Sequence, residues 1–313
     1  MDVKMLPTRD GYGHGLLELG ATNPDVLVLD ADLAKSTRSD WFAAKYPDRF
    51  FDIGIAEQDM IGTAAGLSLG GKIPFATTYG VFVAGRAWDQ IRTTVCYSNL
   101  NVKIAGAHGG ISAGGDGATH QALEDIALMR VLPNMRVIVP CDAIEARKAT
   151  VAAGNIQGPC FLRFAREATP VFTTEGDFFA IGKANVLRNG NDATIIAAGP
   201  IVYEALQAFD LLAAEGISVR VLNMHTIKPL DEDAVLAAAR ETGAIVTAEE
   251  AQINGGLGGA VSEILARHQP TPVEMVGIAD TFLECGTPEE LAEKYGLTAK
   301  YLVNAVKKAI ARK

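Results

Sequence analysis

The sequence predicts an α/β protein built as two parallel-sheet, three-layer domains in series. Short apolar runs, typical of buried strands, alternate with longer segments of helical periodicity. The alternation stops across residues 173–191, where turn residues cluster, and then resumes. The chain has 313 residues, enough for two domains of ordinary size. We therefore expect a first domain over residues 1–175, a linker over 176–191 and a second domain over 192–313.

The first half of the chain carries these elements in a regular order. Strands are expected at 26–30, 50–55, 73–78, 102–107, 136–139 and 160–164, of which 50–55 reads as the end of a buried strand. Helices are expected at 8–19, 39–45, 60–69, 82–96, 121–130 and 143–153. Thr8 is the predicted N-cap of the first helix.

The second half repeats the same alternation of strands and helices. Its predicted strands are 193–198, 219–224, 244–248 and 271–276. Its predicted helices are 202–215, 231–242, 257–267, 288–295 and 299–311. Strands that alternate with helices in this way favour a parallel sheet in each domain.

Composition argues against several classes of function. The net charge is −9 and no basic stripe stands out, so nucleic acid is not an expected partner. No apolar run is long enough to span a bilayer, and the first residues lack a signal-peptide core, so we expect no membrane association. The four cysteines form no CxxC pair, which disfavours a disulfide framework or a zinc site and favours the cytoplasm.

Glu57 is the first candidate for chemistry. It lies where a short apolar run gives way to a helix, and open α/β sheets bind ligands at such junctions. An acidic residue in the first turn of a helix also complements the helix dipole, so Glu57 could instead have a structural role. This stretch by itself favours the structural role.

A glycine-rich loop over residues 108–120 is the second candidate. His108 and His120 flank it and Asp116 lies inside it. Long loops of this kind in compact domains usually have a function, which makes a surface loop with stray polar residues the less favoured explanation. The run Gly115–Gly117 looks like the magnesium-diphosphate signature of thiamine enzymes. Asn134 follows too soon for that signature, however, so we predict no metal ligand in this chain.

Two further groups of residues could either bind a ligand or have an ordinary structural role. Tyr79 and Phe82 follow a predicted strand and could face a flat ring, although core packing is the ordinary reason for such a pair. Arg9, Ser36 and Arg166 each stand at a loop or a helix start. Together they could clamp a phosphate, whereas singly they would be solvated surface residues.

Five segments in sequence order resemble the C-terminal half of transketolase. They are GIAEQDM, TYGVF, HGGISAGGDGATHQALEDIALMRVLPNM, NMHTIKPLD and EEAQINGGLGG, and the run DGATHQ is the most specific. The resemblance covers the family's pyrimidine-binding and C-terminal domains but not its N-terminal diphosphate-binding domain. The chain therefore looks like the C-terminal subunit of a split transketolase.

The resemblance implies roles for the cofactor side of the site. Glu57 matches the glutamate that hydrogen-bonds the aminopyrimidine of thiamine diphosphate and promotes its imino tautomer. Tyr79 and Phe82 match the aromatic residues that pack against the pyrimidine, and Asp32 matches an acidic residue near the cofactor.

The resemblance also implies roles on the substrate side. His108, Asp116 and His120 match positions that contact the sugar, and the two histidines are candidate proton carriers. Arg9, Ser36 and Arg166 match positions that hold the sugar phosphate.

The implied reaction is the transfer of a two-carbon ketol group from a ketose phosphate to an aldose phosphate, in the pentose phosphate pathway. Mg²⁺ and the diphosphate would be held mainly by an N-terminal partner chain, in a dimer of two-chain units. Three alternatives stay open: a 2-oxo acid dehydrogenase beta subunit, a fragment similar to 1-deoxyxylulose 5-phosphate synthase, and a non-catalytic binding subunit. DGATHQ argues against the first, and Glu57 with the loop histidines against the last.

Overall fold

Two helix-covered sheets, one large and one smaller, make up the computed structural model, which describes residues 4–313. The strands are β1 Met5–Pro7, β2 Val26–Asp30, β3 Phe50–Asp52, β4 Ile73–Tyr79, β5 Lys103–Ala107, β6 Arg136–Ile138, β7 Cys160–Arg163, β8 Ala168–Pro170, β9 Asn185–Arg188, β10 Ala193–Ala198, β11 Val219–Asn223, β12 Thr226–Lys228, β13 Ile245–Gln252 and β14 Val273–Ile278.

Helices cover both faces of the sheets. They are α1 Thr8–Thr22, α2 Ala34–Thr37, α3 Ser39–Lys45, α4 Glu57–Leu69, α5 Gly80–Arg86, α6 Trp88–Gln90, α7 Asp125–Arg130, α8 Ala143–Gly154, α9 Val202–Ala214, α10 Glu232–Thr242, α11 Leu257–His268, α12 Pro288–Lys294 and α13 Ala299–Ile310. Short 3₁₀ segments occur at Pro47–Arg49 and Gly110–Asp116, and a π-helical segment at Ile91–Cys96.

The larger sheet has seven strands in the order β12-β6-β7-β5-β4-β2-β3. Its six strands from the first half of the chain are parallel, while β12 pairs antiparallel with β6. Because β12 comes from the second half of the chain, the two halves share this sheet. Two clusters of buried side chains pack around this sheet, and one of them continues into the second half of the chain.

The smaller sheet has five strands in the order β14-β13-β10-β11-β9. Four are parallel and β9 is antiparallel at the edge. The predicted α/β class, with two parallel-dominated domains in series, is therefore confirmed, and the antiparallel edge strands are additions to it. A further pair of short strands, β1 and β8, lies antiparallel beside α1.

Several local predictions were wrong. Residues 50–55 are not a buried strand end, because β3 is the edge strand of the seven-stranded sheet, and Phe51 and Ile55 are 40% and 74% exposed. The single helix predicted over 82–96 is broken into α5, α6 and a π-helical segment. Thr8 is the first helical residue rather than the N-cap, and its hydroxyl accepts a hydrogen bond from the Ala165 N–H at 2.6 Å.

No helix within residues 4–313 is both long enough and apolar enough to cross a bilayer.

Candidate active site

Glu57 is the first residue of α4, and its carboxylate is almost wholly withdrawn from solvent. The residue is 4% exposed. Gly54, at a φ of 75°, turns the chain between β3 and the helix, a conformation that glycine adopts without strain. Oε1 of Glu57 accepts a hydrogen bond from Nη1 of Arg86 at 2.9 Å. This ion pair was not predicted from the sequence.

An aromatic wall stands where β4 and β5 end. Tyr79 is the last residue of β4, and its ring lies nearly parallel to that of Phe82 with 5.6 Å between the ring centroids. Tyr79 pairs in register with Ala107, so the next residue, His108, falls beside the Tyr79 ring, at 3.9 Å between centroids. His120 meets Phe82 edge-on at 5.3 Å. The structure thus brings the predicted aromatic pair and both predicted histidines together.

His108 is held in an unusual environment. Its φ is 60°, in the left-handed region, and the residue is 1% exposed. Neither ring nitrogen has a hydrogen-bond partner within residues 4–313, which is costly for buried polar atoms unless a ligand supplies partners. Burial lowers the pKa of His108 to about 3, and the nearby cations Arg9 and Arg166 act in the same direction. The imidazole is therefore neutral near pH 7, with one donor and one acceptor available.

His120 and Asp116 lie at the outer side of the glycine-rich loop. Thr119 Oγ1 is 2.8 Å from Nδ1 of His120, which leaves the other ring nitrogen available. Arg166 donates from Nη1 to Oδ2 of Asp116 at 3.0 Å, and both side chains are more than one-third exposed. Two residues with separate predicted roles therefore form one ion pair.

Arg9 lies close to Arg166 because short strands bring their segments together. β1 pairs with β8, Arg9 follows β1 and Arg166 precedes β8, and the Arg9 N–H donates to the Ala165 carbonyl at 3.3 Å. Nη1 of Arg9 donates to the backbone carbonyl of Ser36 at 2.9 Å, so it is the main chain of Ser36 that it contacts. Burial lowers the pKa of Arg9, and the positive charges of Arg38 and Arg166 act in the same direction.

Asp32 lies at the carboxyl end of β2. It is exposed, has a φ of 61°, and its N–H donates to Oδ1 of Asp52 at 3.1 Å. Sequence reasoning missed the residue that shapes this segment, the buried Asp30. Its carboxylate accepts hydrogen bonds from Leu33 N, Thr37 Oγ1 and Ser39 Oγ at 2.6, 2.9 and 2.7 Å. Burial raises the pKa of Asp30 to about 6, and these donors oppose that rise.

Arg163 is a second residue whose role was not predicted from the sequence. It is 4% exposed, and Nε donates to Oδ2 of the equally buried Asp125 at 2.8 Å. Its Nη2 donates to the carbonyls of Ala122 and Glu250 at 2.8 and 2.9 Å. Arg163 therefore ties the end of the glycine-rich loop to α7 and to β13 of the second sheet. An arginine inside the apolar strand CFLRF was the available signal.

The second half of the chain also supports the glycine-rich loop directly. Gln121 Nε2 donates to the Glu284 carbonyl at 3.1 Å. The predicted helix at 121–130 begins only at Asp125, because Ala122 instead pairs with Gly109 in a β-bridge and accepts a hydrogen bond from the Gly110 N–H at 2.8 Å. Gly110 has a φ of 66°, and a Cβ added there would lie 2.6 Å from the Glu250 carbonyl oxygen. The loop thus approaches the second domain as closely as a glycine allows.

The arrangement offers complementary functional groups within one region. Glu57 supplies a buried carboxylate and Tyr79 and Phe82 supply flat apolar surface, which together suit a nitrogen-bearing aromatic ring. Within residues 4–313, the ring nitrogens of His108 have no hydrogen-bond partner, so they can bind a polar ligand beside that ring. Arg9 and Arg166 supply guanidinium groups on the same side as the loop, which suit an anionic group.

Comparison with known proteins gives the family. The transketolase pyrimidine-binding domain matches residues 4–171 and the transketolase C-terminal domain matches residues 182–302. The 6-deoxy-6-sulfo-D-fructose transketolase subunit SqwH of Clostridium sp. (strain MSTE9) is 44% identical over 305 residues, which are 97% of this chain and 95% of that protein.

Two further proteins agree with this match. A subunit of the apulose-4-phosphate transketolase of Phocaeicola vulgatus is 41% identical, over 95% of each chain. A solved structure described as a split gene transketolase, an inactive beta4 tetramer, superimposes with a TM-score of 0.92 at 51% identity. That alignment covers 98% of this chain and 99% of the other. The resemblance seen in the motifs is thereby confirmed: the chain belongs to the transketolase family, as a C-terminal subunit of the split type.

Proposed function

We propose that this chain supplies the pyrimidine-binding half of a two-chain transketolase, which transfers a two-carbon ketol group from a ketose phosphate to an aldose phosphate. The observation that carries the proposal is the convergence of Tyr79, Phe82, His108 and His120 on one region, to which Glu57 is joined through Arg86. The carboxylate and the aromatic rings suit a nitrogen-bearing cofactor ring, and the histidines suit a polyhydroxylated substrate next to it.

The residues fit thiamine diphosphate on its pyrimidine side. When bound, this cofactor supplies the nucleophilic carbon and the electron sink of the reaction. Glu57 would hold a proton at a ring nitrogen of the pyrimidine, because its buried carboxylate can accept a hydrogen bond from that position. Tyr79 and Phe82 would orient the ring and exclude water from it, and Asp32 would lie near the cofactor.

The loop histidines would act on the sugar. His108, neutral and with both ring nitrogens free within residues 4–313, would accept one hydrogen bond and donate another. His120 would carry a proton to or from a sugar hydroxyl, and Asp116 would bind a further hydroxyl while Arg166 holds its carboxylate in place. Arg9, Ser36 and Arg166 would bind the sugar phosphate.

A partner chain would complete the site. We propose that an N-terminal transketolase subunit holds the diphosphate and Mg²⁺, and that two such two-chain units form the working assembly. The 51% identical relative, a beta4 tetramer, is described as inactive, which is what a site lacking its other half would produce. We further propose that the enzyme acts in the cytoplasm, in the pentose phosphate pathway.

The substrate is proposed to be a sugar phosphate rather than a sulfonated sugar. The relatives are named for different substrates, 6-deoxy-6-sulfo-D-fructose and apulose 4-phosphate, so the family of split subunits is not restricted to one sugar. The proximity of Arg9 and Arg166 supports a dianionic phosphate, since two neighbouring cations favour a doubly charged anion over a singly charged sulfonate.

The test is reconstitution. The chain is purified together with its N-terminal partner from the native cell and supplied with thiamine diphosphate, Mg²⁺, xylulose 5-phosphate and ribose 5-phosphate. We expect ketol transfer by the pair and none by this chain alone. Pyruvate with an artificial electron acceptor, and pyruvate with glyceraldehyde 3-phosphate, serve as alternative substrates. Turnover of either pyruvate mixture without ketol transfer would contradict the proposal.

A further inference from the structure

One side chain makes contact with both the carboxylate and the aromatic wall of the site. Nη1 of Arg86 is 2.9 Å from Oε1 of Glu57, and its guanidinium carbon lies 4.1 Å from the centre of the Phe82 ring. A single planar cation thus bridges the two kinds of surface, charged and aromatic, that the proposed pyrimidine site offers.

The main chain of Arg86 is held as well. Gln58, the residue after Glu57, donates from Nε2 to the Arg86 carbonyl at 3.0 Å. Consecutive residues at the start of α4 therefore bind both the backbone and the side chain of Arg86. Arg86 is the last residue of α5, where a cation suits the helix end, and Glu57 is the first residue of α4, where an anion does.

Exposure of the pair indicates what the contact is for. The Arg86 side chain is 51% exposed and the Glu57 side chain 5%. Ion pairs with one partner so exposed add little to stability. The geometric consequence is larger, because the guanidinium fixes Oε1 and so determines where Oε2, the second oxygen, is directed.

We propose that Arg86 is a positioning residue, which binds Oε1 of Glu57 while resting on Phe82 and thereby presents Oε2 to a ring nitrogen of the ligand. This inference rests on the proposed function for the identity of that ligand. Arg86 acts through Glu57 and Phe82, so replacing it should lower the turnover rate rather than weaken sugar binding.

The first experiment uses the chain alone. Surface carboxylates are coupled to glycine ethyl ester with a carbodiimide, and the extent of modification at Glu57 is read by peptide mass spectrometry. Arg86→Met keeps an apolar stem on Phe82 but uncovers the carboxylate, so we expect Glu57 modification to rise severalfold. Arg240→Met, at an exposed position on α10, is the matched control and should leave it unchanged. Equal modification of Glu57 in the wild type and Arg86→Met would overturn the proposal.

The second experiment uses the reconstituted two-chain complex at saturating thiamine diphosphate and Mg²⁺. Because a misplacement of about 1 Å can cost a large factor in rate, we expect Arg86→Met to lower kcat about tenfold or more. KM for the sugar phosphate should change much less, and Arg86→Lys, which keeps the charge, should recover part of the rate. A kcat equal to that of the wild type, or an effect confined to KM, would contradict a positioning role.

The two experiments separate this inference from the proposed function. If the wild-type complex shows no ketol transfer, the proposed function fails, while the labelling of Glu57 still decides whether Arg86 holds its carboxylate. Thermal unfolding of each variant checks that it is folded. If Arg86→Met does not fold, Arg86→Lys is used for the kinetic test, and a kcat in that variant equal to the wild-type value would count against the positioning role.

Discussion

Replacing Arg163 by methionine should destabilise the glycine-rich loop more than any substitution at the exposed residues of the site. The change removes the cation paired with Asp125, whose side chain is 1% exposed, and it removes a donor from the carbonyls of Ala122 and Glu250. Breaking a buried ion pair from one side costs about 3–5 kcal/mol. The two carbonyls would each add about 1 kcal/mol if no water reached them.

Protonation of Asp125 limits that cost. Burial raises the pKa of Asp125, and the charge and hydrogen bond of Arg163 oppose the rise, so removing the arginine raises this pKa further and favours the neutral acid. We therefore expect the free energy of unfolding to fall by about 4 kcal/mol, which lowers Tm by on the order of 10 °C. The double variant Arg163→Met with Asp125→Asn contains no uncompensated charge and should lose about half as much.

Urea and thermal unfolding of the isolated chain, followed by circular dichroism, measure both variants. The expected order of stability is wild type, then the double variant, then Arg163→Met. A loss below about 1 kcal/mol for Arg163→Met would refute the reasoning that Arg163 is a buried anchor of the loop, since an exposed ion pair would cost that little.

Two further predictions concern the frame of the site. Asp30→Asn mimics the protonated acid. Because the folded-state pKa of Asp30 is raised to about 6, the wild type should lose up to about 3 kcal/mol of stability as the pH rises from about 4 to above 6, whereas the variant should not. Unfolding of both proteins at about pH 4 and about pH 7.5 measures this difference. If the stability difference between the two proteins is the same at both pH values, the prediction is wrong. Gly110→Ala, at a φ of 66° and with Glu250 in the way, should lower Tm, whereas Gly66→Ala, on an open face of α4, should raise it slightly. Equal effects of the two glycine substitutions would show that the loop yields without cost.

The pattern of apolar and helical segments was enough to predict most of the fold. The segments Val26–Asp30, Ser39–Lys45 and Ala193–Ala198 agree residue for residue with β2, α3 and β10, because each has strong periodicity and clear ends. The prediction failed at β12, a three-residue strand that crosses to the sheet of the other half. Such a pairing depends on how the two halves pack, which no local pattern encodes. The boundaries 1–175, 176–191 and 192–313 stay a prediction.

The candidate site was predictable as a set of residues but not as a set of contacts. His108 could be expected beside Tyr79 once β4 and β5 were seen as neighbours, since both residues stand at the ends of those strands. The partners of the charged residues could not. Arg86 meets Glu57 across 29 positions, and Arg163 meets Glu250 across 87. Those pairs depend on side-chain directions that only the folded chain provides.

The role of Glu57 is the central claim, and one measurement tests it most directly. Ketol transfer from xylulose 5-phosphate to ribose 5-phosphate is compared between the wild-type two-chain complex and the complex carrying Glu57→Gln, at saturating thiamine diphosphate and Mg²⁺. Gln keeps the shape of the side chain but cannot take up the proton. We predict that turnover falls about a hundredfold or more, the size expected for loss of a general acid–base group, while the complex stays assembled. A variant that turns over at the wild-type rate would contradict the account.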